Sequence, residues 1–337
     1  MKKTLLFSLL VAASFCSIAQ RIAKTDELFL QKKEDSLKSL SVKLIMGITS
    51  ADRFNADSVF TRLLVRALKT PNSFYYDFDS LETISRLYAP DSSFKIFTWQ
   101  MVINENIIRQ HGAIQMRTYD GSLKLFPLID KSDITINMDT VANNKGWIGA
   151  VYYNIIQKKS GNQNYYTLLG YDENNIRSNK KLIEVLHFDG EEPIFGSRLF
   201  SYEEDTTFKT TMNRYIMEFK KTDGPKLNYD ADMDMIIVEH LVSESNEPKK
   251  KWTYVGDGDY EGFKWKNGKW VHIEKLFNQV TPLGKEPVPS PVRDASGNLD
   301  ESKLKGGETE DEKPATDKPA VKPKAKPTPA KKKVKGE

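Results

Sequence analysis

His272 and Glu274 sit two residues apart in the run from Lys269 to Lys275. If that run is a strand, alternation puts both side chains on one face, where the carboxylate can orient the imidazole as a base. A half-exposed histidine beside a glutamate on an amphipathic strand is also a common structural pattern. Asp230, Asp232 and Asp234 form D-x-D-x-D, the spacing with which calcium loops set alternate carboxylates around an ion. Such a loop needs Gly at its sixth position and an acid at its twelfth. Met235 and Leu241 stand there, so the EF-hand reading fails and leaves a looser oxygen site or an acidic turn. Asp257, Asp259 and Glu261 in Gly-Asp-Gly-Asp-Tyr-Glu-Gly read alike, as oxygen ligands on a flexible loop or as a solvated connection. Gly256, Gly258 and Gly262 are spaced one residue too widely for a dinucleotide fingerprint, and no helix follows. The chain has no GxSxG elbow, P-loop or HExxH, and His111, His187, His240 and His272 are scattered without metal-ligand spacing. Trp252, Trp265 and Trp270 crowd the same region. Such rows stack on sugar rings when exposed and fill a sheet core when buried.

Residues of this kind act only where secondary structure positions them. Leu30, Leu37, Leu40 and Leu44 recur on one face of Thr25 to Met46, with Gly47 as a stop. Phe60, Leu63, Leu64, Ala67 and Leu68 do the same over Ser50 to Lys69, so a helical hairpin is expected. From Phe94 the texture changes to short β-rich runs with connections too short for crossover helices, which predicts antiparallel pairing. Asn267-Gly268, between Trp265 and Trp270, is a two-residue hairpin signal pairing 263–266 with 269–272. The expected fold is α+β and mainly β. A leader spans 1–19, a helical region 20–92, and an antiparallel β body 93–280 that is a curled sheet, a sandwich or propeller-like. A disordered Pro/Lys-rich tail spans 281–337.

Several segments together carry a resemblance: Ala89-Pro90-Asp91 leading to Phe94-Lys95-Ile96-Phe97-Thr98-Trp99, Trp147-Ile148-Gly149-Ala150-Val151-Tyr152-Tyr153, Tyr165-Tyr166-Thr167-Leu168-Leu169-Gly170-Tyr171-Asp172, and Tyr260-Glu261-Gly262-Phe263-Lys264-Trp265. From about Asp79 to Ile273 the chain resembles a group of exported Bacteroidetes-type proteins with no assigned activity. The resemblance implies one continuous β-rich unit in an envelope or secreted setting and brings no catalytic residue with it.

Lys2 and Lys3 before an apolar run from Leu5 to Ile18, closing on Ser17-Ile18-Ala19, read as an export signal cleaved after Ala19. The run is shorter than the ~20 apolar residues that span a bilayer, and no later segment qualifies. Phe15 before Cys16 does not suit a lipidation signal, so cleavage removes the only cysteine, and thiol chemistry with it. Residues 313–337 carry nine Lys against Asp317 and Glu337, a net +7, while 285–312 carry −4. Setting these and the leader's +2 against the overall +4 leaves −1 for 20–284. A near-neutral body does not suit nucleic acid, whereas a lysine arm suits anionic envelope polymers or a membrane surface. No cofactor is implied. The expectation is a non-enzymatic envelope protein, periplasmic or extracellular. The alternatives are a glycan-binding module using Trp252, Trp265 or Trp270, or a hydrolase built on carboxylates or on His272 and Glu274.

Overall fold

The computed structural model describes residues 22–202 and 211–276; the leader and the tail lie outside them. The two helices form as their spacing predicts: α1 spans Lys24–Met46 and α2 spans Ser50–Leu68. Thr49 caps α2 by accepting from the Asp52 amide at 3.1 Å while the Asp52 carboxylate accepts from the Thr49 amide at 3.1 Å. This reciprocal pair satisfies amides that a helix start otherwise leaves open.

Sixteen strands follow among the described residues. The first four are β1 (Ser85–Tyr88), β2 (Phe94–Asn104), β3 (Ile107–Met116) and β4 (Lys124–Ile129). Then come β5 (Ala142–Asn143), β6 (Val151–Ser160), β7 (Gln163–Asp172), β8 (Ser178–Asp189) and β9 (Glu192–Phe195). The last seven are β10 (Phe200–Ser201), β11 (Thr211–Met212), β12 (Arg214–Lys220), β13 (Leu227–Asp230), β14 (Met235–Ser243), β15 (Tyr254–Lys266) and β16 (Lys269–Ile273). Sheet I runs β1-β2-β3-β4. Sheet II runs β5-β9-β8-β7-β6 with β12 on β8, and sheet III runs β11-β10-β16-β15-β14-β13. Pairing within the sheets is antiparallel except between β10 and β16, which run parallel. The expected helical region to residue 92 thus already contains β1. The expected loop at Gly256–Glu261 is strand, because β14 supplies it with a ladder partner.

Strand alternation explains how the sheets stack. In β2, Phe97 and Trp99 face the helical hairpin, where Leu30, Leu37, Phe60 and Leu64 cover them. Phe94 and Ile96 face the other way, onto Tyr152, Leu168, Leu182 and Leu186 of sheet II. Leu169, Ile183 and Val185 point from the opposite face of sheet II onto Ile236, Val238, Phe263 and Trp270 of sheet III. Sheet II is therefore covered on both faces, and its central strands read as nearly unbroken buried runs. All described residues belong to one compact unit.

Two charged groups lie inside this stack. Glu184 and Arg214 are direct cross-strand partners on β8 and β12, and their side chains are 0% and 1% exposed. Arg214 donates to Glu184 Oε1 from Nε at 2.9 Å and from Nη2 at 2.6 Å. Tyr152 donates to Glu184 Oε2 at 2.5 Å and accepts from Trp147 Nε1 at 2.7 Å. Lys95, buried on the helix-facing side of sheet I, has no carboxylate partner among the described residues. Its ammonium donates to the Tyr76 carbonyl at 2.6 Å and lies 4.3 Å from the Tyr88 ring centroid and 5.4 Å from that of Phe97.

The Asn267-Gly268 turn forms with φ of 49° and 77°, in the register predicted: Phe263 faces His272 and Trp265 faces Trp270. Gly268→Val should destabilise the body by at least about 1 kcal/mol, since a β-branched residue resists positive φ. A Cβ there also runs into the Ser160 hydroxyl. A melting temperature matching the parent would count against this account of the turn.

Candidate functional site

A crevice of about 520 Å³ lies between β12 of sheet II and β14, β15 and β16 of sheet III. β12 supplies Tyr215 and Met217 to it, β14 supplies His240 and Leu241, and the start of β15 supplies Tyr254. Glu261 near the middle of β15, His272 on β16 and Glu274 just beyond close the other side.

The β15–β16 register builds its chemistry. His272 is directly opposite Phe263, which sets it diagonal to Glu261 on the same face. His272 Nε2 lies 3.0 Å from Glu261 Oε2, and the Tyr215 hydroxyl donates to Glu261 Oε1 at 3.1 Å. Burial, reinforced by the Glu261 charge, pushes the Tyr215 hydroxyl well above its ordinary pKa, so it serves as a fixed donor. Tyr202 stacks on the imidazole with centroids 4.5 Å apart and planes 32° apart. A carboxylate that engages one imidazole nitrogen fixes the ring and leaves Nδ1 turned to other partners, the arrangement that orients a histidine towards a ligand.

A second histidine is held the same way. The pairing of β14 with β15 shifts register between Glu239 and Leu241, so His240 falls at a bulge, and its Nδ1 lies 2.8 Å from Asp257 Oδ2. Burial works against the Asp257 charge. The bonds from His240 and the Asp259 amide outweigh it and hold the carboxyl below its usual range.

His272 and Glu274 line the same crevice, although β16 ends at Ile273 and Glu274 lies just past the strand expected over Lys269–Lys275. The carboxylate on the imidazole is nevertheless Glu261, from the neighbouring strand. Sequence spacing along one strand contains no cross-strand partner, so only the hairpin register signals it.

The other sequence-derived candidates lie elsewhere. Asp230, Asp232 and Asp234 make the β13–β14 turn. Asp230 Oδ1 accepts from the Met233 amide at 2.9 Å, and Asp234 accepts from Lys158 and from the Tyr229 hydroxyl. Among the described residues, no group of three or more His, Asp or Glu converges as a cation site. Trp270 is fully buried between sheets II and III, donating to Thr167 Oγ1 at 2.8 Å, and Trp265 packs edge-on against it at 5.3 Å. Trp270 thus offers no face to a sugar. Trp252 carries the Arg177 guanidinium 4.3 Å from its ring centroid.

No family model, curated protein or solved structure matches the chain. The site's own geometry is therefore what bears on function.

A second hollow, about 610 Å³, lies beside α1 and is lined by Glu27, Glu34, Tyr76, Asp77 and Asp79. Two of its carboxylates, Glu34 and Asp77, are committed to the fold. Glu34 accepts from the Tyr76 hydroxyl at 2.5 Å and from the Ser80 amide and hydroxyl at 2.7 and 2.8 Å, and Asp77 accepts from the Tyr88 hydroxyl at 2.8 Å. Among the described residues, no helix is long and apolar enough to cross a membrane.

Proposed function

We propose that the protein is exported, loses residues 1–19 and works in the cell envelope as a non-enzymatic binding protein whose lysine-rich C-terminal segment contacts anionic envelope surfaces. The observation that carries the reading is charge separation: −1 over residues 20–284 against +7 over 313–337. Basic and acidic residues of the body nearly balance, and some pair directly, as in Lys124–Glu191 at 2.7 Å, Lys220–Glu244 at 2.7 Å and Lys250–Glu247 at 2.6 Å. The concentrated positive charge is left to the end of the chain. The resemblance to exported Bacteroidetes-type proteins supports the same location.

The test is co-sedimentation of the mature chain with purified cell-wall sacculi and with anionic liposomes across a salt series. Binding at low salt should fall steeply once the Debye length drops below about 8 Å. A chain ending at Gly284 should keep the fold and lose the association. Equal binding by the two chains would reduce the lysine segment to a solubiliser. Processing is checked separately: mass spectrometry of the secreted protein should find Gln20 as the first residue, and an acylated Cys16 would overturn that.

A second reading, acid–base hydrolysis, is favoured by one observation, the 3.0 Å bond between His272 and Glu261 in an open crevice.

A further inference from the structure

The crevice between sheets II and III offers a ligand site independent of the lysine segment. We infer that it binds a neutral saccharide of one or two rings, held by His240, His272 and Glu274 along its hydroxyls and by Met217, Leu241 and the edge of Tyr254 against its C–H surface. Three features of the site select that class.

The first is the fixed orientation of both histidines. Glu261 holds Nε2 of His272 and Asp257 holds Nδ1 of His240. Among the described residues, the opposite nitrogens, Nδ1 of His272 and Nε2 of His240, make no hydrogen bond. Two imidazoles locked by carboxylates and lining one crevice present pre-oriented groups to hydroxyls. The ordering cost that flexible polar side chains add to binding is then largely absent.

The second is charge. Glu218, Glu261 and Glu274 outnumber Lys251 among the lining side chains, which disfavours phosphate- or carboxylate-bearing ligands. A cationic ligand meets a different obstacle, because the Lys251 ammonium already lies 4.3 Å from the Tyr254 ring centroid and takes the place an external cation would use. An uncharged polyhydroxyl ring conflicts with neither.

The third is shape and texture. About 520 Å³ falls in the range of small-molecule sites, and Met217, Leu241 and Tyr254 give apolar contact beside the polar groups. Apolar surface with a few convergent polar groups complements a pyranose, whose C–H faces and equatorial hydroxyls alternate in the same way.

The experiment uses the full mature chain, titrated calorimetrically with cellobiose, maltose, lactose and N,N′-diacetylchitobiose, and with cellobiuronic acid as the anionic comparison. At least one neutral disaccharide should bind with Kd of about 1 mM or tighter, and the acid at least about tenfold more weakly. Tyr254→Leu and Glu274→Gln, both at exposed or partly exposed positions, should each weaken binding about tenfold at unchanged melting temperature. Saccharide binding should not respond to salt and should persist in the chain ending at Gly284, which separates it from the lysine-segment reading. No heat from any neutral disaccharide at about 10 mM would overturn the inference. So would affinities that both folded variants leave unchanged, or a preference for the acid.

Discussion

Arg214→Met is expected to destabilise the protein by roughly 3–5 kcal/mol, the usual cost of removing one partner of a buried ion pair. Glu184 is 0% exposed, and its Oε1 receives both Arg214 bonds, so the variant strands a carboxylate between sheets I and II with only the Tyr152 hydroxyl in contact. For a body of this size the melting temperature should fall on the order of 10 °C. The double variant Arg214→Met, Glu184→Leu should recover most of the loss, because it buries no charge and Tyr152 still accepts from Trp147. Thermal or urea unfolding of the parent and both variants decides it. A single variant that melts within a degree of the parent would show that the pair is not the anchor its geometry indicates.

Lys95 should produce the largest pH effect. Burial without a carboxylate partner lowers its pKa from the ordinary 10.5 to about 7. The folded protein therefore favours the neutral amine more than the unfolded chain does. Below pH 7 both states hold the proton and the folded state bears the full cost of the buried charge. Between pH 7 and 10.5 the unfolded state binds more protons, so stability rises with pH. The rise from pH 7 to pH 9 attributable to this one group is about 2 kcal/mol, at ~1.4 kcal/mol per unit. Lys95→Met, apolar and of similar length, cannot titrate. Its stability relative to the parent should be greatest below pH 7 and shrink towards pH 9. Parallel stability curves for parent and variant would show that the aromatic surround compensates the ammonium in full.

Lys95 also illustrates what sequence patterning conveys and what it omits. In the alternation of β2 it occupies a helix-facing position with Phe97 and Trp99, where a lysine looks like an interruption. What admits it is the ring of Tyr88, Phe78 and Phe74, brought in from segments before β2 that periodicity does not link to it. Helices α1 and α2 were legible because their leucine and phenylalanine stripes repeat locally, and the 267–268 turn because its two residues alone set the conformation. The Gly-Asp-Gly-Asp segment was misread for the opposite reason. Its composition is that of a loop, and only the ladder from β14 makes it strand. The same limit hid Glu261 as the partner of His272, since diagonal contacts across a hairpin depend on register. Trp270 stayed open between sugar platform and core because an aromatic row on one face reads the same whether sheet or solvent lies above it.

The parallel pairing of β10 with β16 has a bearing on when the protein can complete itself. A ribosome releases the N-terminus first, so the helical hairpin and sheet I have all their residues by 129, and sheet II lacks only β12 once β9 has emerged. Sheet III cannot close in that order. β10, at 200–201, waits for β16, at 269–273, which inserts between it and β15. Until then the part of sheet II that Trp270 covers, and Phe200 beside it, lack their cover, and the final hairpin is the step that supplies it. The last strand of the body thus acts as a checkpoint in time: a chain ending just before residue 269 lacks the one strand that joins β10 to β15, and is expected to leave sheet III open between them.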